Sequence, residues 1–393
     1  MRRLMPMLAG AALVAGCSGP GPAPTRATEA PSESTPTSAT ASSDVAPFTV
    51  TEVASYDEPW AMTFLPGTEY AAITQRGGQL LVRDMSSGEV LTVDGAPEVK
   101  AEGQGGLGDI IAAPDFDQSG HIYLSWVEPG DGTSAGAVVG RGGLVIEDGA
   151  ARLENLTVIW RQEPKVEGAG HFAHRLAVSP DGKYLFVTSG ERQKFDPAQD
   201  LGTNLGKILR LTLDGTPVAA NPFAAQGYPA EEVWTLGHRN PLGIAFAPDG
   251  TLWSTEMGPK GGDELNVITE GANYGWPKVS NGSHYSGEEI PDHAAGDGFE
   301  APKVWWNPSI SPSSLMIYTG EVFPQWRGDA FIGALSGQSL LRVDLDGTTA
   351  TKAEVWSAGA LGTRIREVEQ GPDGRIWVLQ DGSEGKLLRL DPA

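Results

Sequence analysis

One phrase recurs six times along this chain: a few apolar residues, a proline-containing turn, then a short apolar or aromatic run. It reads Phe64-Leu65-Pro66-Gly67 before Tyr70, Ala113-Pro114-Asp115 before His121, and Ser179-Pro180-Asp181-Gly182 before Tyr184. It returns as Ala247-Pro248-Asp249-Gly250 before Leu252, Phe323-Pro324 before Ala330, and Gly371-Pro372-Asp373-Gly374 before Arg375. Proline fixes φ at the turn, and Asp-Gly supplies the turn chemistry that follows. The six prolines are spaced 48, 66, 68, 76 and 48 residues apart. One structural step repeated with loops of variable length is the mark of a radial array. Six steps in 393 residues predict an all-β chain, a six-bladed β-propeller of four-stranded antiparallel blades. A β-sandwich or two β domains are the alternatives, but no break in composition divides the chain. Beyond the N-terminal segment no long stretch has helical periodicity.

The N-terminus reads as an address. Arg2 and Arg3 precede an apolar run through Ala15 that is too short to span a bilayer, so residues 1–16 have signal-peptide form. Cys17 is the only cysteine, which excludes an intramolecular disulfide and a Cys-rich zinc site. It follows Val14-Ala15-Gly16, a sequence that resembles the bacterial lipobox and implies lipidation at Cys17. A plain secretory signal with an incidental cysteine is the alternative. Residues 17–47 are rich in Pro, Ser, Thr and Ala, with too little apolar surface to offset the entropy of ordering. They predict a flexible stalk, leaving 48–393 as an extracytoplasmic propeller held to the membrane only by lipid. The net charge of −22 excludes nucleic acid as a partner, because phosphate backbones need clustered Lys and Arg. Any small anionic ligand must be held against that field.

A propeller carries its site on loops and strand ends of several blades, so functional residues should be dispersed, each near a repeat. His171, after Gly168-Ala169-Gly170, is the candidate general base. His174 reads first as structural. Glu191, at the end of the following strand, could orient the imidazole, or simply pair with Arg192. Arg239-Asn240-Pro241 offers a forked donor and an amide on a rigid turn. The backbone carbonyls of Gly258 and Pro259 suit a hard cation, ahead of Asp263 and Glu264, which also read as exposed loop charge. Arg364 and Arg366 share a strand face and repel unless an anion lies between them, or pair with Glu367 and Glu369. Gln104 stands on a Gly-rich loop that lacks the lysine and helix of a phosphate loop. Trp305-Trp306 could stack on a ring, although at least one of the two should be core.

Six ordered motifs over the whole domain resemble the soluble quinoprotein sugar dehydrogenases, the glucose/sorbosone dehydrogenase family, and its aldose sugar dehydrogenase branch. They are Gly-Gln-Gly-Gly-Leu-Gly from 103, His-x-x-x-Arg-Leu from 171, Arg-Asn-Pro-x-Gly from 239, Glu-x-Gly-Pro from 256, Pro-Ser-Ile-x-Pro-Ser from 308 and Arg-Ile-Arg at 364–366. The resemblance implies oxidation of aldose sugars at C1 by pyrroloquinoline quinone (PQQ), with electrons passed on to an unidentified acceptor. It implies His171 as the base, Glu191 behind it, and Arg239 steadying charge on the quinone. Ca²⁺ would lie on the carbonyls of Gly258 and Pro259 and act as a Lewis acid. Gln104, Asn240, Ser309, Arg364 and Arg366 match cofactor positions, and Gln104 and Trp306 match substrate positions. The glucose dehydrogenase branch has a lysine near PQQ where this chain reads Leu335-Ser336-Gly337-Gln338, so the cofactor carboxylates rest on the two arginines. Loops shorter than in that branch imply an open mouth and broad aldose specificity. The other readings are a metal-dependent propeller lactonase and a non-catalytic surface propeller that binds a sugar or partner.

Overall fold

The computed structural model describes residues 46–393, and the chain there is all-β. Cys17 and the signal segment lie outside the described residues. Each repeated phrase closes the first hairpin of a sheet. The strands entering these turns are Pro59–Phe64, Leu107–Ala112, Ala173–Val178, Pro241–Phe246, Pro312–Ile317 and Ile365–Gln370. The strands leaving them are Tyr70–Gln75, His121–Pro129, Tyr184–Ser189, Leu252–Glu256, Ala330–Ala334 and Ile376–Gln380. In the Pro-Asp-Gly copies the chemistry is as expected. Gly182, Gly250 and Gly374 sit at φ of 69°, 90° and 78°, where a side chain would be strained. Each donates its N–H to the carbonyl three residues back, at 2.8–2.9 Å.

The six entering strands form a ring. Each touches the next, and Ile365–Gln370 returns to Pro59–Phe64. Sheets run outward from them as antiparallel meanders. The last sheet is completed by the first strand of the domain, Phe48–Tyr56, which pairs with Gly385–Pro392 from Phe48↔Pro392 to Tyr56↔Gly385. One expectation is corrected. Four sheets have four strands, but the first two runs of four are joined into an eight-stranded sheet. Their outermost strands pair in parallel at Val93↔Ala151 and Asp94↔Arg152, because the long hairpin of Ala135–Glu147 and Ala150–Arg161 reaches across to its neighbour.

The core lies between neighbouring sheets. Tyr123, Val139 and Trp160 pack on Leu176, Val187 and Leu209, and Trp253 and Leu265 pack on Leu315, Ile332 and Leu341. Burial on both faces explains why second strands such as Ala330–Ala334 and Ile376–Gln380 read as apolar runs instead of alternating. Each large apolar side chain so buried contributes about 1.5–3 kcal/mol. The ring is also pinned along its axis by the buried Arg175. Its guanidinium lies 4.1 Å from the ring centre of Trp60 and donates to Asp109 (3.2 Å), the carbonyl of Leu242 (3.0 Å) and the carbonyl of Ser313 (2.5 Å). It also meets the carbonyl of Arg366 (3.4 Å) and the carboxylate of Glu367. One side chain thereby contacts all five other strands of the ring.

Candidate functional site

The residues singled out in sequence gather at one mouth of this ring. Gln104, His171, Asn240, Ser309 and Arg364 each stand one to three residues before the start of an entering strand. The second strands return to the same mouth and end in Arg76, Glu191, Glu256, Ser336 and Asp381, or next to them.

His171 is the best-organised group. Its backbone N–H is held by Gln104 Oε1 at 2.7 Å, and its Nδ1 lies 2.5 Å from Glu191 Oε1. Glu191 Oε2 accepts the N–H of Phe195 at 2.7 Å and that of Lys194. Burial lowers the pKa of His171, opposed by its bond to Glu191 and aided by the charge of Arg239. Burial alone would raise Glu191. Its bond to His171, the Phe195 N–H and Arg239 outweigh that and hold it below the usual range. The pair is therefore a neutral imidazole and an ionised carboxylate. A carboxylate only accepts, so Nδ1 carries the hydrogen and Nε2 is left as a proton acceptor.

Arg239 is buried beside this pair. Its Nη1 donates to the carbonyls of Met257 (3.0 Å) and Gly258 (2.6 Å), and its Nη2 meets the Tyr285 hydroxyl at 3.3 Å. Sequence reasoning missed what holds it. Glu256 accepts the Arg239 backbone N–H and takes Nδ1 of His238 at 2.8 Å, while His238 Nε2 meets Thr235 Oγ1 at 2.9 Å. His174 is structural, as first read. It is buried, its Nδ1 lies 2.8 Å from Ser125 Oγ, it stacks on Trp60, and burial pushes it down to about 3.

Arg364 and Arg366 do converge on an anion, but it is one of the chain's own. Asp381 Oδ2 accepts from Arg364 Nε at 2.7 Å, and Oδ1 accepts from Arg366 Nε and Nη2 at 3.0 and 2.7 Å. They do not pair with Glu367 or Glu369. A cavity of about 330 Å³ is lined by these three residues, Gln104, Asn240, Leu335 and the pair Arg76–Glu58, whose bidentate bonds measure 2.7 and 2.8 Å. Arg76, Glu58 and Asp381 were not expected. The available signal was positional: like Glu191, Arg76 and Asp381 directly follow or closely follow the end of a second strand.

Asn240 Oδ1 and Arg239 Nε are among the buried polar atoms at this mouth that have no partner in the described residues. Buried polar atoms are rarely left so. Asn240 Oδ1 lines the same cavity as the guanidiniums of Arg364 and Arg366, a donor and acceptor set that suits a flat, polar, anionic group such as PQQ. The calcium set is weaker. The Gly258 carbonyl is engaged by Arg239, and the Pro259 carbonyl meets Ser309 Oγ at 3.4 Å. Two carbonyls fill little of a Ca²⁺ shell of six to eight oxygens, so the chain's own groups do not make a calcium site. Asp263 is a brace. Its oxygens accept the N–H groups of Gly258 (2.8 Å), Ile310 (2.6 Å) and Ser311 (2.6 Å). Glu264 is buried against Glu256, and burial pushes it up to about 8, so it is not loop charge. Among the described residues no three His, Cys, Asp or Glu side chains converge as metal ligands.

Trp306 corrects another expectation. It packs in the core with Trp253 and Leu341 and lines neither the double-arginine cavity nor the cleft that contains His171, because strand Val304–Trp306 is the outermost of its sheet. Trp305 points outward, 42% exposed. The rings that do line the mouth are Trp60 and Phe172 on one side, and Phe195, Trp276 and Tyr285 on the other.

Fold and mouth together define a ring-shaped β-propeller with a proton acceptor set beside a cationic cavity. The chain belongs to the glucose/sorbosone dehydrogenase family, whose model matches residues 56–389. It is 41% identical to the aldose sugar dehydrogenase YliI of Escherichia coli over 86% of this chain and 90% of that protein. The crystal structure of the soluble aldose sugar dehydrogenase from Escherichia coli in the apo form superposes with a TM-score of 0.83, at 39% identity, over 88% of this chain and 100% of the other. The PQQ-bound form of an aldose sugar dehydrogenase from Streptomyces coelicolor gives 0.74 at 26% identity, over 88% and 98%.

Proposed function

We propose that this protein is a quinoprotein dehydrogenase that oxidises aldoses at C1 to the lactone with PQQ. The observation that carries the reading is the neutral His171, held by ionised Glu191 beside Arg239, at a mouth with unpartnered polar atoms. When bound, PQQ would supply the two-electron oxidant for C1. The chain supplies the rest. His171 Nε2 takes the proton of the anomeric hydroxyl, and Glu191 fixes the tautomer and stabilises the imidazolium that results. Arg239 sets a positive charge beside the reacting groups. Gln104, Asn240 and Ser309 orient the cofactor, and Arg364 and Arg366 hold its carboxylates. Calcium enters this proposal only together with the quinone, through Pro259 and Gly258, and no step here depends on it. The ring of entering strands supports counting the blades as six, with the eight-stranded sheet as two of them. Lipid anchorage at Cys17 and an extracytoplasmic location belong to the same proposal.

Adding PQQ and Ca²⁺ to the purified protein and following dye reduction by several aldoses tests the reading. A quinone spectrum that bleaches on addition of aldose is expected. No spectrum and no turnover with any aldose would overturn it. His171→Asn is expected to lower kcat by about 10²–10⁴-fold while the PQQ Kd, from spectral titration, stays within about threefold.

A further inference from the structure

The third strand of the third sheet, Lys207–Thr212, opens on a buried lysine. Lys207 has no exposed surface, and its ammonium donates to three backbone carbonyls, those of Pro197 (2.7 Å), Ala198 (3.3 Å) and Leu205 (2.6 Å). An ammonium has three hydrogens, so its donors are used up. Taking a charge out of water is costly. Burial pushes Lys207 down to about 7, with the charge of Asp200 opposing. An apolar side chain of the same length would fill this space without that cost. The ammonium therefore calls for a role that packing does not supply.

Its place in the sheet gives that role. On one side Lys207 pairs with Ser189, just before Glu191, and on the other with Leu236, just before Arg239. The loop 190–206 carries Glu191 and the N–H groups of Lys194 and Phe195 that Glu191 accepts. The turn 237–240 carries Arg239. These two segments are joined around the ammonium. The Ala198 carbonyl takes both Lys207 Nζ and the N–H of Gly237, the latter at 2.8 Å. The Gly206 carbonyl takes the N–H of His238 at 3.1 Å, and the Arg239 carbonyl takes the N–H of Glu191 at 2.9 Å. Gly206 sits at φ 68°, and a Cβ there would lie 2.6 Å from the His238 carbonyl oxygen and 2.7 Å from Ala198 Cα. The approach of loop and turn thus leaves no room for a side chain. The inner face of the loop, from Pro197 to Leu205, has the ammonium as its common anchor.

We propose that Lys207 is a positioning residue for the proton-transfer pair: its ammonium clamps loop 190–206 onto the Arg239 turn and so fixes Glu191, His171 and Arg239 relative to one another. The inference rests on the aldose reading above. Lys207 acts through Glu191 and touches neither sugar nor cofactor, so its loss loosens the proton acceptor and leaves the binding surfaces in place.

The test is Lys207→Met, which keeps the length of the side chain and removes its donors. In the PQQ-loaded enzyme kcat is expected to fall about 10- to 100-fold, with the aldose KM and the PQQ Kd within about threefold. A loss that falls on KM or Kd instead of kcat overturns the proposal. Proton NMR of the apoprotein gives a reading without turnover. The hydrogen between His171 Nδ1 and Glu191 should resonate far downfield, and its absence in His171→Asn assigns it. In Lys207→Met this signal is expected to move upfield or broaden away, and an unaltered signal with reduced stability would show a lysine that only supports the fold. Lys207→Ala with added propylammonium, which replaces the missing stem and charge, covers the case in which Lys207→Met does not fold. Recovery of the signal and of about tenfold in kcat with propylammonium, and not with 1-propanol, supports the clamp. Equal recovery with both, or with neither, overturns it. If the signal responds as expected but the wild type never oxidises an aldose, the dehydrogenase reading fails while the clamp stands.

Discussion

Glu191 shows how much one side chain carries here. One oxygen orients the base and the other holds the Phe195 loop. Burial keeps His171 titrating below its ordinary value near 6.5, and Glu191 is the main group opposing that shift. The acid limb of kcat/KM should therefore lie below about pH 6.5, since activity is lost only when the imidazole becomes protonated. Glu191→Gln removes the opposing charge, so the limb should move to lower pH while kcat falls, which a pH–rate profile would read. Asp381 acts in the opposite sense on the cofactor. It occupies both guanidiniums with a negative charge that a tricarboxylate would meet. A charge a few ångströms away is worth a few kcal/mol near a protein surface before screening, more than the looser positioning of the arginines would cost. Asp381→Asn should therefore tighten PQQ by about fivefold in a spectral titration, and a weaker Kd would show that Asp381 serves mainly to pre-organise the arginines.

At the scale of elements, the site is a product of strand ends. Proline-containing turns set where each entering strand stops, and the ring sets where each begins, so loops before those strands are brought to one mouth. Asp263 ties the loop before Pro312–Ile317 to the segment after Leu252–Glu256 by accepting three backbone N–H groups, from Gly258, Ile310 and Ser311. Asp263→Ala leaves them without that acceptor, and each buried orphan costs about 1–3 kcal/mol. Chemical denaturation should show that loss. Much of this scale was legible in sequence, because turns and strands depend on neighbours a few residues apart. Glu191 was found by its place at the end of a second strand, and Asp381 and Arg76 had the same place without being noticed. Trp306 was misplaced because a tryptophan on an outer strand and one at a mouth look the same in sequence.

For the whole molecule, closure has two parts, the pairing of first and last strands and the axial arginine. Arg175 is flanked by Asp109, Glu367 and Glu369 in a small polar cavity on the axis. Arg175→Met leaves two buried carboxylates without their cation and should cost about 3–5 kcal/mol. Burial pushes Glu367 up to about 8, with Arg175 pulling down and Asp109 pushing up. A carboxyl raised above its unfolded value, near 4.3, adds stability that is complete below that value and lost as pH rises through about 8. The denaturation midpoint should therefore decline between about pH 5 and pH 9, and Glu367→Gln should flatten that decline.

By itself the sequence determined the all-β class, the number of repeated steps and most of the residues at the mouth. Those signals are local: a proline, an Asp-Gly pair, a histidine after glycines. Only the tertiary structure decided which charges meet. Arg175 reaches a carbonyl 191 positions away, and the anion between Arg364 and Arg366 is Asp381, brought there by the second strand of the same sheet. It also set Phe195 against Trp276 beside the base, from segments that share no local signal. Pairings between distant segments follow from how the ring closes, and closure depends on the packing of every sheet against the next.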